Sequence, residues 1–326
     1  MNRPRLTAGL LLTVLLFAAP VILFLLRLSI YDHLRLLNYH PPVNFVQLAN
    51  QTTLTPLARH YLYVNHPALD SDVDTFRTHC PNAEQTIVLG CYQSGETGIY
   101  VYQVKDARLA GIEQVTAAHE TLHAAYERLN SADRKYVNGL LQDYYKNNLR
   151  DPRIVQVMQD YQKTEPHDLV DEMHSVFGTE IANLPAPLEN YYKRFFTSRA
   201  VVVAFSQAYE SVFTNRINQV KADDAQLAQQ KTAIDNLEKS LQDQSTQINS
   251  QRSRLDQLKS SNQIDEYNAA VGPFNSLVSN YNGGVDRLKS LITSYNQLVD
   301  ARNAIASELS QLDQSIDTRL TQQKAQ

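Results

Sequence analysis

Within the segment Val115 to Tyr126 stand His119-Glu120-Thr121-Leu122-His123, two histidines four residues apart with a glutamate beside the first. On a helix, residues four apart lie one above the other, so both imidazoles face a single point and can share a metal ion. Glu120 stands about a quarter-turn round the helix, where it can reach a water on the metal without competing as a ligand. The chemistry that suits this set is zinc-assisted hydrolysis: Zn2+ acidifies water and polarises a carbonyl, and the glutamate takes the proton. The bland alternative is two surface or core histidines on an ordinary amphipathic helix.

The elements around the motif must position it. Thr116-Ala117-Ala118 and Ala124-Ala125 are strong helix formers, and the run has neither Pro nor Gly, so a helix is expected from about Val115 to Leu129, with Asn130-Ser131 as its stop and the next helix's cap. Upstream, residues 85–92 and 98–104 are rich in β-branched and aromatic residues and are joined by the turn-like Ser94-Gly95-Glu96-Thr97-Gly98, which reads as a hairpin. A hairpin strand followed by an HExxH helix resembles the zincin metallopeptidases over roughly Val88 to Phe196. The resemblance implies a zincin-like α+β domain and an edge strand that pairs with an extended peptide substrate above the metal.

Catalytic zinc takes three protein ligands and leaves a position for water. Ala124-Ala125-Tyr126 follows His123, without the short Gly and third-His extension of metzincins, so the third ligand must come from further on. Residues 166–180 predict a second helix dense in ligand types, and this is similar to the gluzincins, where a glutamate on a later helix completes the site. Glu172 is the choice, with Asp168 and Ser175 on the same face as hydrogen-bonding support. Glu180 is an alternative if Phe177-Gly178 bends the backbone. His174 points about 200° from Glu172 on an ideal helix, so both cannot ligate one ion, although it could donate to a developing oxyanion. No carboxylate stands three or four residues after Glu172, which departs from the usual gluzincin pattern. The whole cluster could instead be a solvated acidic face. Tyr191 and Tyr192 are further candidates for transition-state stabilisation, but aromatics at helical spacing are more often core.

A charge-free run from Leu6 to Leu26, flanked by Arg3, Arg5 and Arg27, is long enough to span a bilayer core of about 30 Å and reads as an uncleaved membrane anchor. The flanking charges weakly favour a cytoplasmic N-terminus. Cys80 and Cys91, the chain's two cysteines, then read as a disulfide in an exported domain, with two free thiols as the alternative. Net charge −4 and a pI near 6.1, with no basic stripe interleaved with aromatics, give nucleic-acid binding no support.

After about Ser198, Gln, Asn, Ser, Asp and Leu dominate. Phe213, Val220, Leu227, Ile234, Leu241, Ile248 and Leu255 recur in heptad register, beside a half-polar second seam through Arg216, Asp223, Gln230, Leu237, Gln244, Gln251 and Leu258. Tyr267, Phe274, Tyr281 and Tyr295, with Val271, Val278, Val285, Ile292 and Val299, continue the pattern beyond a turn at 259–263. The pattern predicts an antiparallel coiled-coil hairpin with arms roughly 80 Å long, bent or loosened at Gly272-Pro273 and Gly283-Gly284. It would serve as a stalk, as a dimerisation or partner-recruiting arm, or as a spacer.

The chain is therefore expected to have three parts: a tip and anchor (1–30), a helix-dominated α+β zincin-like domain (31–198) and a coiled-coil hairpin (199–326). The expected function is a single-pass, extracytoplasmic zinc metallopeptidase acting on a protein or peptide substrate, with Zn2+ on His119, His123 and Glu172 and with Glu120 as general base. The alternative is a non-catalytic, membrane-anchored coiled-coil scaffold or adaptor of the cell envelope.

Overall fold

Alanine-rich, proline-free sequence makes Ile112–Glu127 a helix, and it is the hub of the first part of the chain. The computed structural model describes residues 17, 20, 27–81, 87–95, 98–164 and 166–319. The chain divides into two compact units, residues 1–210 with 315–326, and residues 211–314.

The first unit is helix-dominated with one small sheet. In order it holds α1 (residues 27–36), α2 (Val43–Gln51), α3 (Pro56–Val64), β1 (Ala68–Asp70), α4 (Val73–His79), β2 (Gly90–Gln93), β3 (Gly98–Tyr102), α5 (Ile112–Glu127), α6 (Ser131–Asn147), α7 (Pro152–Thr164), α8 (Leu169–Glu180) and α9 (Ala186–Tyr192). The motif helix runs three residues earlier and ends two earlier than its composition suggests. Asn130 caps α6 as expected, accepting from the amides of Ala132 and Asp133. The hairpin forms with antiparallel register Gly90 to Val101 and Gln93 to Gly98, and its first strand begins only at Gly90. β1, too short to show an alternating pattern, pairs parallel with β3, so the sheet order is β1-β3-β2 and β2 is an edge.

α5 is apolar on most of its surface because it is enclosed by α2, α3, the sheet and α8. Its closest partner is α8. A Cβ on Gly178 would come 2.5 Å from Leu122 Cδ1 and 2.7 Å from Tyr192, so the missing side chain is what lets the two helices approach. Ala118, Leu122, Phe177 and Tyr192, each fully buried, lie in the core around that crossing.

Two long helices follow, α10 (Arg199–Ser260) and α11 (Ile264–Ile316). The first turns of α10 still belong to the first unit, with Val202 and Val203 in its core. In the second unit the arms run antiparallel: Arg216 pairs with Glu308 at 2.7 Å and Asp224 with Arg302 at 2.9 Å. Every member of the first heptad seam is buried or half-buried, whereas the second seam leaves Gln251 exposed. α11 is one helix through Gly272-Pro273 and Gly283-Gly284, so neither pair interrupts it. Pro273 and Ala269, whose carbonyl it frees, are both exposed, so water can take that carbonyl. Ile292 is 37% exposed, and the neighbouring Leu291 turns inward instead.

Among the described residues no helix is long and apolar enough to cross a membrane. The expected anchor, Leu6 to Leu26, lies outside them apart from Phe17 and Pro20.

Candidate metal centre

α5 and α8 bring one histidine pair and one carboxylate together. His119 Nε2 and His123 Nε2 are 3.0 Å apart. Glu172 straddles them, Oε2 lying 3.6 Å from His119 Nε2 and Oε1 3.6 Å from His123 Nε2. Three ligands held about 2.0–2.1 Å from a tetrahedral ion stand about 3.3 Å from one another, so these spacings match a zinc-sized site. Glu172 Oε2 is buried with no hydrogen bond of its own, so in the metal-free chain the charge of the histidine pair 3.6 Å away is what compensates it, a place a cation would fill. The donor set, two imidazoles and a carboxylate, is one that zinc accepts.

Glu120 is 6% exposed and faces the same cavity. Burial pushes its carboxyl up, opposed by His119 and His123 and assisted by Glu172, while the backbone N–H of Tyr92 on β2 holds the carboxylate. The strand comes this close because residue 90 is glycine: a Cβ there would stand 2.5 Å from Thr116 and 2.8 Å from Glu120 Oε1. Leu89 accepts from the amide of Tyr102, so by antiparallel alternation the backbone groups of Gly90 and Tyr92 turn away from β3, toward the cavity. The Cys80–Cys91 disulfide ties this strand to the end of α4. The cavity has a volume of about 400 Å³ and is walled by β2, the motif face of α5 and the start of α8.

The support for the candidate ligands differs from the expected one. Asp171, not Asp168 or Ser175, bonds one of the paired histidines: its Oδ1 lies 2.9 Å from His123 Nδ1. Burial alone would lower His123, but Asp171 and Glu172 outweigh it and hold its pKa up at about 10. Burial likewise opposes ionisation of Glu172, yet His123 and His119 keep its carboxyl below the usual range. Tyr161, on the cavity wall, hydrogen-bonds the Glu172 carboxylate. Neither Asp171 nor Tyr161 carries a sequence signal, since each acts across a helix–helix contact. Asp168 lines the cavity without bonding a ligand, and Ser175 is fully buried.

The two alternative ligands lie elsewhere. α8 runs unbroken through Gly178 to Glu180, and Glu180 pairs with Arg153 at 2.7 Å. His174 is fully buried among Tyr126, Tyr191, Tyr192 and Phe195 and bonds the Tyr191 hydroxyl at 2.9 Å, so it cannot reach an oxyanion in the cavity. Tyr191 and Tyr192 are core, the latter donating to the His174 carbonyl. Set against family models, curated proteins and solved structures, the chain has no match in any of the three.

Proposed function

We propose that the chain is a membrane-anchored zinc metallopeptidase of the zincin type, its catalytic unit outside the cytoplasm. The observation that carries the reading is the convergence of His119, His123 and Glu172 on one point, with the buried Glu120 beside them and the edge strand β2 along the same cavity. Zinc bound there would supply Lewis acidity, acidifying water and polarising the scissile carbonyl.

The chain's own groups would do the rest. Glu120, its carboxyl raised by burial, accepts the proton of the attacking water and returns it to the leaving amine. With the Tyr92 N–H on Glu120, the outward backbone groups of Gly90 and the Tyr92 carbonyl would receive an extended peptide by strand addition and align its scissile bond over the histidines. Asp171 fixes the tautomer and orientation of His123, and Tyr161 holds Glu172. The disulfide fits an oxidising, extracytoplasmic compartment.

The test is the zinc content of the purified full chain, measured beside hydrolysis of labelled casein. One zinc per chain, lost in His119→Ala and in Glu172→Ala, is expected. Glu120→Gln should keep the zinc and lose hydrolysis. A folded wild-type chain that takes up no zinc even on reconstitution would refute the peptidase reading and leave the envelope scaffold.

A further inference from the structure

α1 is built inside out. A surface helix normally turns apolar residues to the core and polar ones to water. Here Asp32 is 8% exposed, while Leu34 is 62%, Leu37 57% and Ile30 41% exposed. At 100° per residue, Ile30 and Leu34 lie about 40° apart and far from Asp32, with Leu37 in the turn just past the helix; Leu28 and Tyr31, 45% and 39% exposed, widen the apolar surface. The inward face grips the domain through polar groups. Asp32 takes Arg128 Nη2 at 2.9 Å and His60 Nε2 at 2.6 Å, and Arg35 Nε donates to the Val64 carbonyl. Next to this face Tyr39 stacks on His66. The apolar arc is thus left for something other than this domain.

We propose that this arc lies in the surface of the lipid bilayer, so that α1 is a platform seating the catalytic unit on the membrane rather than a tether. The inference rests on the reading of Leu6 to Leu26 as the anchor. The described part of α1 begins at Arg27, the residue that follows that run in the sequence. Ten helical residues rise only about 15 Å, so no point on α1 can be further than that from the end of the hydrocarbon-length run. A helix with an apolar face beside the headgroups buries that face about 5–10 Å into the interface. The grip on its other face ends at Arg128, which follows α5 directly, so the motif helix itself is fastened to the platform.

The chain has no tryptophan, so one introduced residue reports alone. Leu34→Trp and, separately, Leu37→Trp would be placed in the full chain, reconstituted in lipid nanodiscs with or without bromine on the upper acyl carbons. Both positions are exposed, so the indole disturbs no packing. Brominated lipid should at least halve the emission of each, and aqueous acrylamide should barely quench it, as expected for a face about 5–10 Å into the interface. Emission quenched by acrylamide and untouched by bromolipid would overturn the proposal, because the arc would then lie in water. Protection from both quenchers would also overturn it, since a second copy or another protein would then cover the arc. Alkaline carbonate extraction of the wild-type chain from vesicles separates the two readings: a chain that washes off refutes the anchor and the platform together. A chain that stays, but whose Leu34→Trp variant is blind to bromolipid, refutes only the platform. Casein hydrolysis is not used in either readout.

Discussion

Asp171 Oδ1 stands 2.9 Å from Nδ1 of His123, and the opposite ring nitrogen of that histidine faces His119 and Glu172. The hydrogen bond crosses from α8 to α5, so the same helix that carries Glu172 also orients an imidazole on its neighbour. A histidine turned this way carries its lone pair on Nε2, toward the proposed zinc position, once its proton has left.

Asp171→Ala should therefore weaken zinc about 10- to 100-fold while leaving the metal-free fold intact. Competition with a chelator of known affinity measures it. Unchanged affinity would mean that packing alone orients His123.

His123 also sets a pH dependence. Its pKa, raised from 6.5 to about 10 in the metal-free chain, means that the protonated ring is stabilised by folding. That contribution is complete below the unfolded value of 6.5 and is lost as pH rises through about 10. The denaturation midpoint of chelator-treated protein should accordingly fall between those limits. Zinc binds only the neutral ring, so near pH 7 its uptake should expel about one proton from His123 and its affinity should rise with pH. Calorimetry in buffers of different ionisation enthalpy counts that proton, and a count of zero would contradict the assignment.

Gly90→Ala would drive a methyl group into Thr116 and Glu120. Relief requires β2 to move away from α5, at an overpacking cost of about 1–3 kcal/mol. Because Glu120 is not a ligand, zinc content should stay at the wild-type level while hydrolysis falls by at least about tenfold, the loss expected when a general base is misplaced. Loss of both together would point to global unfolding, which circular dichroism would show.

Asp32→Ala removes the carboxylate that Arg128 meets, and the Arg128 side chain is 6% exposed. The charge-assisted hydrogen bonds removed are worth about 1.5–3 kcal/mol, so the melting temperature should drop by several degrees. Asp32→Asn, which keeps one oxygen acceptor for Arg128, should lose less. An Asp32→Ala chain as stable as wild type would show that water reaches Arg128.

What the sequence determined by itself was whatever repeats at a helix's own period. The spacing of His119 and His123 placed both rings on one face, and heptads from Phe213 to Leu255 marked one seam of a hairpin that the second unit contains. Strand runs around Ser94 to Gly98 likewise predicted the β2–β3 pair. Glu172 was legible as a ligand type on a nearby helix, but its approach to within 3.6 Å of both histidines depended on the close α5–α8 crossing that Gly178 permits. Only the tertiary structure decided the rest. Asp171 displaced Asp168 and Ser175 as the supporting carboxylate, Tyr161 joined the site from α7, and His174 went into an aromatic core. β1 appeared as a partner of β3 without an alternating pattern, and Pro273 sat in an unbroken helix. The physical reason is range. Helical and heptad periods are local properties of a chain, whereas which atom of a carboxylate meets which ring nitrogen is set by the rotation and separation of two packed helices, and no periodicity encodes that.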